Sequence, residues 1–321
     1  MAFVIAFRPE SVGTDTRNYI YFYNSICQDF LILSSFEYLF QGILLFFSTF
    51  SAPPAIVFWF LAFVNLTMVI LLALKLSSFV NKKIDSYRLF FILSILFLIS
   101  PFFFAIMVNV IRQGTATLAL FVFCIVLAAR KPLFALVPLS FLALGFHKTS
   151  LITIIFSPLI LCNYRVVFIT TLISALLYIT GLTTRLIYWV SQLTGINLYL
   201  KITDYANSGI YHTGVRYDFA LFTIFMGLGF KFLSRYFLAI EDRTTFKELL
   251  KIYWVLVLPF FFFGFAAYSD RYLLAGWLYL SVLAAVFSGL LIGKYRVPVG
   301  WDFLIFLCST MYFGIKVQGL I

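Results

Sequence analysis

LFFILSILFLISPFFFAIMVNVIRQGTATLALFVFCIVLAARK, residues 89–131, carries only three charged side chains, Arg112, Arg130 and Lys131, in two apolar runs parted by one polar hinge. A membrane-spanning helix needs ~20 apolar residues, so the stretch reads as two crossings, 89–107 and 112–129. Working outward by the same criterion gives further spans at 55–76, 132–146, 149–163, 166–190, 216–235, 249–266, 271–292 and 300–318. The expected fold class is therefore all-α, a polytopic transmembrane helical bundle of about ten spans, with residues 1–321 forming a single integral membrane domain. Composition agrees: the chain is 63% hydrophobic and 11% charged, with a mean hydropathy of +1.05. Soluble domains carry roughly 25% charge.

The net charge of +11 does not point to nucleic acid, because the Lys and Arg residues are spread through short connections between apolar runs. Residues in that arrangement orient helices in a membrane. Cys27, Cys124, Cys162 and Cys308 have no paired spacing, and His147 and His212 have no metal-ligand spacing. No metal and no cofactor is expected. MAFVIA at 1–6 is too short to span and lacks the basic leader of a signal peptide. It is expected to be the stub of a helix whose beginning is missing.

Residues 31–49 differ from the spans. Glu37 and Gln41 share a face, aromatic residues surround them, and Pro53 and Pro54 follow; a helix lying in the membrane interface is expected there. Counting positive charge in alternate connections puts fourteen of the 23 Lys and Arg on one side and nine on the other. The richer side is assigned to the cytoplasm. The amino-terminal segment 7–30 and the loop 190–215 then face outward.

Positive charge on the outer side is disfavoured and needs a reason. Arg112 opens a helix, Arg216 opens another, and Arg271 sits in SDRY at 269–272. Arginine near membrane depth marks substrate paths. The spans flanking FHKTSL (146–151) have only 15 residues each, roughly 22 Å of helix at 1.5 Å per residue. The turn with His147 and Lys148 is thus expected to stop below the outer surface. Arg112, Lys148, Arg216, Arg271 and Arg8 or Arg17 are expected to surround a recessed basin open to the exterior. Guanidinium forks of that kind suit a phosphate or pyrophosphate carried on a lipid. No paired acids on the outer side stand ready for a divalent ion, so the arginines are expected to stabilise the leaving group themselves.

FRPESVGTDTRNY (7–19), FEYLF (36–40), IRQGTA (111–116) and FHKTSL (146–151) occur in the order found in EpsG-type polysaccharide polymerases. The chain resembles that family, which is similar to the Wzy O-antigen and exopolysaccharide polymerases. The resemblance covers about the first half of the chain; the second half agrees mainly in its helix count. It implies a GT-C-like fold and a metal-independent glycosyltransferase of the bacterial inner membrane, with its active site facing the periplasm. Such an enzyme moves a growing glycan from undecaprenyl pyrophosphate onto a lipid-linked repeat unit. Its partners are thus the undecaprenyl-pyrophosphate-linked oligosaccharide donor and acceptor, membrane lipids and a chain-length regulator, with no nucleic acid.

In that scheme Arg112 and Arg271 take the pyrophosphate and Arg216 adds a third contact. Arg8 and Arg17 hold either lipid-linked substrate, and Gln113 and Lys148 complete the binding set. The base candidates are His147, Asp15 and Asp270. His147 is favoured, since a recessed imidazole changes charge near neutral pH; Asp15 equally suits a helix cap or a partner for Arg17, and Asp270 an anchor for Arg271. A flippase or transporter of the same lipid-linked sugars is the alternative, with an O-antigen ligase as a third reading. The flippase predicts internal repeats and broken mid-membrane helices.

Overall fold

A computed structural model of the chain describes residues 1–29, 36–195, 199, 213–295 and 298–320. Among these the regular elements are all helical. In chain order they are α1 (Ala2–Ala6), α2 (Thr16–Asp29), α3 (Tyr38–Ser48), α4 (Pro54–Phe79), α5 (Ser86–Ile99), α6 (Pro101–Val108), α7 (Ile111–Ala128) and α8 (Val137–Phe146). There follow α9 (Ser150–Phe156), α10 (Tyr164–Ile179), α11 (Leu182–Thr194), α12 (Tyr217–Phe237), α13 (Ile240–Leu256), α14 (Leu258–Phe263), α15 (Ser269–Tyr295) and α16 (Val299–Val317). Short 3₁₀ turns stand at Leu133–Ala135 and Ser157–Leu161.

Among the described residues five helices are long and apolar enough to cross a membrane: α4, α7, α12, α15 and α16. The number rises to seven if α5 with α6 and α10 with α11 each make one span, the two pairs being bent by 82° and 87°. About ten spans were expected, and the difference has local causes. Pro101 has no N–H to continue the helix and pushes Ser100 to an extended ψ of 128°. At the second bend Gly181 takes a left-handed φ of 73°. The runs 132–146 and 149–163 form short apolar helices, and the run 249–266 is divided at Val257 just before Pro259. Hydropathy counts apolar runs; it does not register where proline cuts them.

The chain divides into two compact units, Met1–Leu151 with Ala284–Ile321, and Ile152–Leu283. In the first unit α7 is central and packs against α4, α6 and α8. Nearly all of α7 is buried, and its small residues Gly114, Thr115, Ala116, Thr117 and Ala119 let neighbouring backbones come close. The last helix, α16, packs along α5, where Arg88 Nε meets Asp302 Oδ2 at 2.9 Å.

Helix α3 turns its polar face inward. Glu37 at its N-cap and Gln41 are 5% and 7% exposed, while Tyr38 is 88% exposed and Phe46 59%. Gln41 Nε2 donates back to the Phe36 carbonyl.

In the second unit α10 packs against α11, α13 and α14, and α12 packs against α13. The stretch Leu249–Leu256 of α13 is wholly buried. Its polar atoms find partners, as buried polar groups must: Tyr253 Oη donates to the Thr223 carbonyl at 2.7 Å, and Trp277 Nε1 donates to Thr223 Oγ1 at 3.0 Å. Lys251, 4% exposed, donates to the Cys162 carbonyl at 2.9 Å and pairs with Glu248 at 2.6 Å. Residues 196–198 and 200–212 of the loop expected to face outward, residue 30, residues 31–35 ahead of α3, and Arg296 lie outside the described residues.

Candidate functional site

The four sequence strings singled out above gather on one apolar core of the first unit. That core contains Tyr19, Tyr23 and Ile26 of α2, Phe36, Phe40 and Leu44 of the α3 region, Val57, Phe58 and Leu61 of α4, Ile111 and Ala116 of α7, and Phe146 of α8. Glu37, Arg112 and His147 each adjoin one of these anchors in sequence, and Arg8 rests on Phe58. The aromatic packing therefore sets where the polar heads stand.

Glu37 is the centre of the polar group. Its Oε2 accepts from Arg112 Nη1 at 2.6 Å, and its Oε1 accepts from the Lys148 backbone N–H at 3.2 Å. His147 Nδ1 lies 3.3 Å from the same Oε1. Burial works to raise the Glu37 pKa, but the His147 contact, the Arg112 and His147 charges and the Lys148 N–H outweigh it and hold the carboxyl at about 2. Glu37 precedes the short helix α3 and stands outside the seven candidate spans. The carboxylate is ionised at every physiological pH.

Arg112 lies over the Phe36 ring at 4.4 Å and the Phe40 ring at 5.7 Å. One of its nitrogens is committed to Glu37, and its Nε is buried with no hydrogen-bond partner among the described residues. The guanidinium therefore keeps donor capacity for a further anion. His147 ends α8 in an extended conformation, φ −158° and ψ 119°. Because Glu37 faces Nδ1, the imidazole keeps Nε2 for another partner. The close approach of α8 to α3 depends on Gly145: a Cβ there would stand 2.7 Å from Leu39 Cβ, which sits on helix backbone and cannot swing away.

Arg8 is 6% exposed and faces inward. Its Nη1 donates to the Ile5 carbonyl at 2.7 Å, Nε and Nη2 each reach Thr16 Oγ1 at 3.2 Å, and the group lies 4.3 Å over Phe58. Burial lowers its pKa to about 10, so it stays charged at neutral pH. The following turn crosses the start of α7, where the Thr14 N–H donates to Asn109 Oδ1 at 3.1 Å. Gly13 takes a φ of +92° there, and a Cβ would fall 2.7 Å from Val108 Cγ1. Asp15 is half-buried and Arg17 exposed, and no ion pair joins them among the described residues. Gln113 is buried in α7.

In the second unit Arg216 precedes α12. Asp218 grips its fork from both sides, Nε to Oδ1 at 3.0 Å and Nη2 to Oδ2 at 2.7 Å, while the guanidinium lies 3.8 Å over Phe219. Its backbone N–H donates to Tyr178 Oη at 2.9 Å, and that hydroxyl donates to the Gly264 carbonyl at 3.1 Å. Asp270 is near enough to act on the Arg216 charge. Arg271 is exposed and lies 4.1 Å over Tyr268, whose φ is +59°. Arg216, Asp270 and Arg271 thus share one end of this unit. Among the described residues no three His, Cys, Asp or Glu side chains gather as a metal site requires.

A family model described as the EpsG family matches residues 1–318. The chain belongs to the EpsG family. The match extends through the second half, where the sequence strings gave out. No curated protein and no solved structure matches.

For an EpsG family member, the structure brings Arg112, His147 and Lys148 to one carboxylate. It places Arg8 and the Asp15 turn against the end of α6 and the start of α7, and it puts Arg216, Asp270 and Arg271 in the other unit. Two participants escaped the sequence reading as site residues. Glu37 was seen only as part of an amphipathic face; the available signal was a lone acid inside FEYLF, which inside a membrane protein must find a cation. Asp218 was signalled by its position two residues after Arg216, where it fills the fork that was assigned to a phosphate.

Proposed function

We propose that the chain is a polysaccharide polymerase that transfers a growing glycan from undecaprenyl pyrophosphate to a lipid-linked repeat unit on the outer face of the bacterial inner membrane. Membership of the EpsG family supports a polymerase-like activity. The observation that carries the site is the bridge from Glu37 to Arg112 on one oxygen and to His147 and Lys148 on the other.

In this reading the sugar–pyrophosphate bond already has a good leaving group, and catalysis needs positioning, charge stabilisation and a base. His147 Nε2 takes the proton of the acceptor hydroxyl. That oxygen forms a bond to the anomeric carbon as the bond from that carbon to the pyrophosphate oxygen breaks. The electron pair leaves with the pyrophosphate, which Arg112 holds through its uncommitted donors. Glu37 stabilises the imidazolium as it forms and fixes the stacked guanidinium. Arg216 and Arg271 stand in the second unit and take no part in this group; Arg216 could grip an anion only by releasing Asp218. Asp15, in the same unit, is the alternative base, and Arg8 orders the turn that carries it.

The test is extension of a purified lipid-linked repeat unit by the purified full chain, with and without a chelator. Chain growth in the chelator is expected. His147→Ala is expected to slow it about 10²–10⁴-fold, and Arg112→Ala about 10²–10³-fold. Normal extension by a folded Arg112→Ala variant overturns the site assignment. Uptake of the repeat unit across the bilayer without extension selects the flippase.

A further inference from the structure

The end of α7 opposite Arg112 opens onto a cavity of about 840 Å³ in the first unit. Its walls are apolar, from Leu71 and Leu74 of α4, Val122, Ile125 and Val126 of α7, and Leu139 of α8. Its polar margin holds Lys75, Ser78, Asn81 and Lys131. The 18 residues of α7 put this margin roughly 26 Å from Arg112 at 1.5 Å per residue. It therefore has no part in the group around Glu37.

We propose that this cavity binds one anionic glycerophospholipid, with an acyl chain along the leucine and valine walls and the phosphate between Lys75 and Lys131. Three observations point to that occupant. Both lysines are exposed, and neither pairs with a carboxylate among the described residues. Lys82 and Arg130 adjoin the same margin, each at a positive φ (55° and 51°) that follows a helix end, and no acid lines the cavity. Excess cationic charge above an apolar slot matches a molecule with one negative head and a hydrocarbon tail. A free phosphate ion fits the lysines but leaves the apolar volume, many times its own, unfilled. Cationic pockets between helices on the cytoplasmic side favour such headgroups, and the charge count assigns this end to the cytoplasm.

The experiment is native mass spectrometry of the full chain in nonionic detergent with equal dioleoylphosphatidylglycerol and dioleoylphosphatidylcholine. Phosphatidylglycerol is expected to be retained about tenfold over phosphatidylcholine. The Lys75→Gln/Lys131→Gln variant is expected to abolish that preference and Lys75→Arg/Lys131→Arg to keep it. Leu139→Trp, which fills the slot and leaves the lysines in place, is expected to lower phosphatidylglycerol retention. Equal retention of the two lipids, or a preference unchanged by Lys75→Gln/Lys131→Gln, overturns the proposal. So does displacement of the lipid by excess inorganic phosphate, which makes the site one for the free ion. Displacement by equimolar polyprenyl phosphate also overturns it and makes the occupant a prenyl carrier.

Discussion

Glu37 holds a guanidinium, an imidazole and a backbone N–H with two oxygens, and its conduct with pH follows from its depressed pKa. A carboxyl held at about 2, against 4.5 ordinarily, contributes stability that is fully present above pH 4.5 and is lost as pH falls toward 2. Removing the acid leaves Arg112 facing Phe36 and Phe40 without a counterion, which costs on the order of 3 kcal/mol. Glu37→Gln is thus expected to melt below the wild type at pH 7 in detergent, and the gap to narrow between pH 4.5 and 3. A gap constant down to pH 3 contradicts the pairing. Gly145 offers a second residue-scale test. Gly145→Val drives its side chain into Leu39 Cβ, and folded Gly145→Val protein is expected to lose glycan extension at least tenfold, while Gly42→Val, at a position with open space, leaves it unchanged. Arg112 and Lys148 were singled out in the sequence because cations expected on the disfavoured face need a reason, and His147 because short apolar runs flank its turn. Glu37 was not recognised as their hub, since its partners lie 75 and 111 positions away and no local spacing joins them.

At the scale of elements, the apolar runs located most helices well, α4, α7, α12, α15 and α16 among them. What they concealed was interruption. The run at 89–107 is two helices because of Pro101, and α13 starts at Ile240, well ahead of the apolar run, through a polar half containing Glu241, Asp242 and Arg243. Helix α3 was read as lying in the membrane interface, with Glu37 and Gln41 on one face. Its acid and amide point inward beside the buried Phe36 and Phe40, while Tyr38 and Phe46 face outward. The pairing of α5 with α16 combines the Arg88–Asp302 ion pair with ring contacts of Phe90 and Phe91 against Phe303 and Phe306. Asp302→Ala removes the carboxylate that meets Arg88, whose side chain is 13% exposed. A loss of about 3–5 kcal/mol is expected, seen as a lower melting temperature. The double variant Arg88→Met/Asp302→Leu is expected to recover most of it.

At the scale of the molecule, the all-helical membrane architecture was plain from composition, and family membership spans both units. Orientation is open to a direct check. In a background lacking Cys27 and Cys308, which are exposed, Lys148→Cys is expected to react with an impermeant maleimide from the outer side. Labelling from the cytoplasm alone reverses the assignment. The division of the chain has a further consequence for biogenesis. The first unit opens at Met1 but closes only with Ala284–Ile321, so its earlier helices are made long before their final neighbour. At about 5–20 residues per second of translation, Arg88 waits on the order of ten to forty seconds for Asp302 to leave the ribosome. Throughout that interval Arg88 lacks the carboxylate of Asp302, and the insertion machinery has to shelter that flank until the last helix arrives.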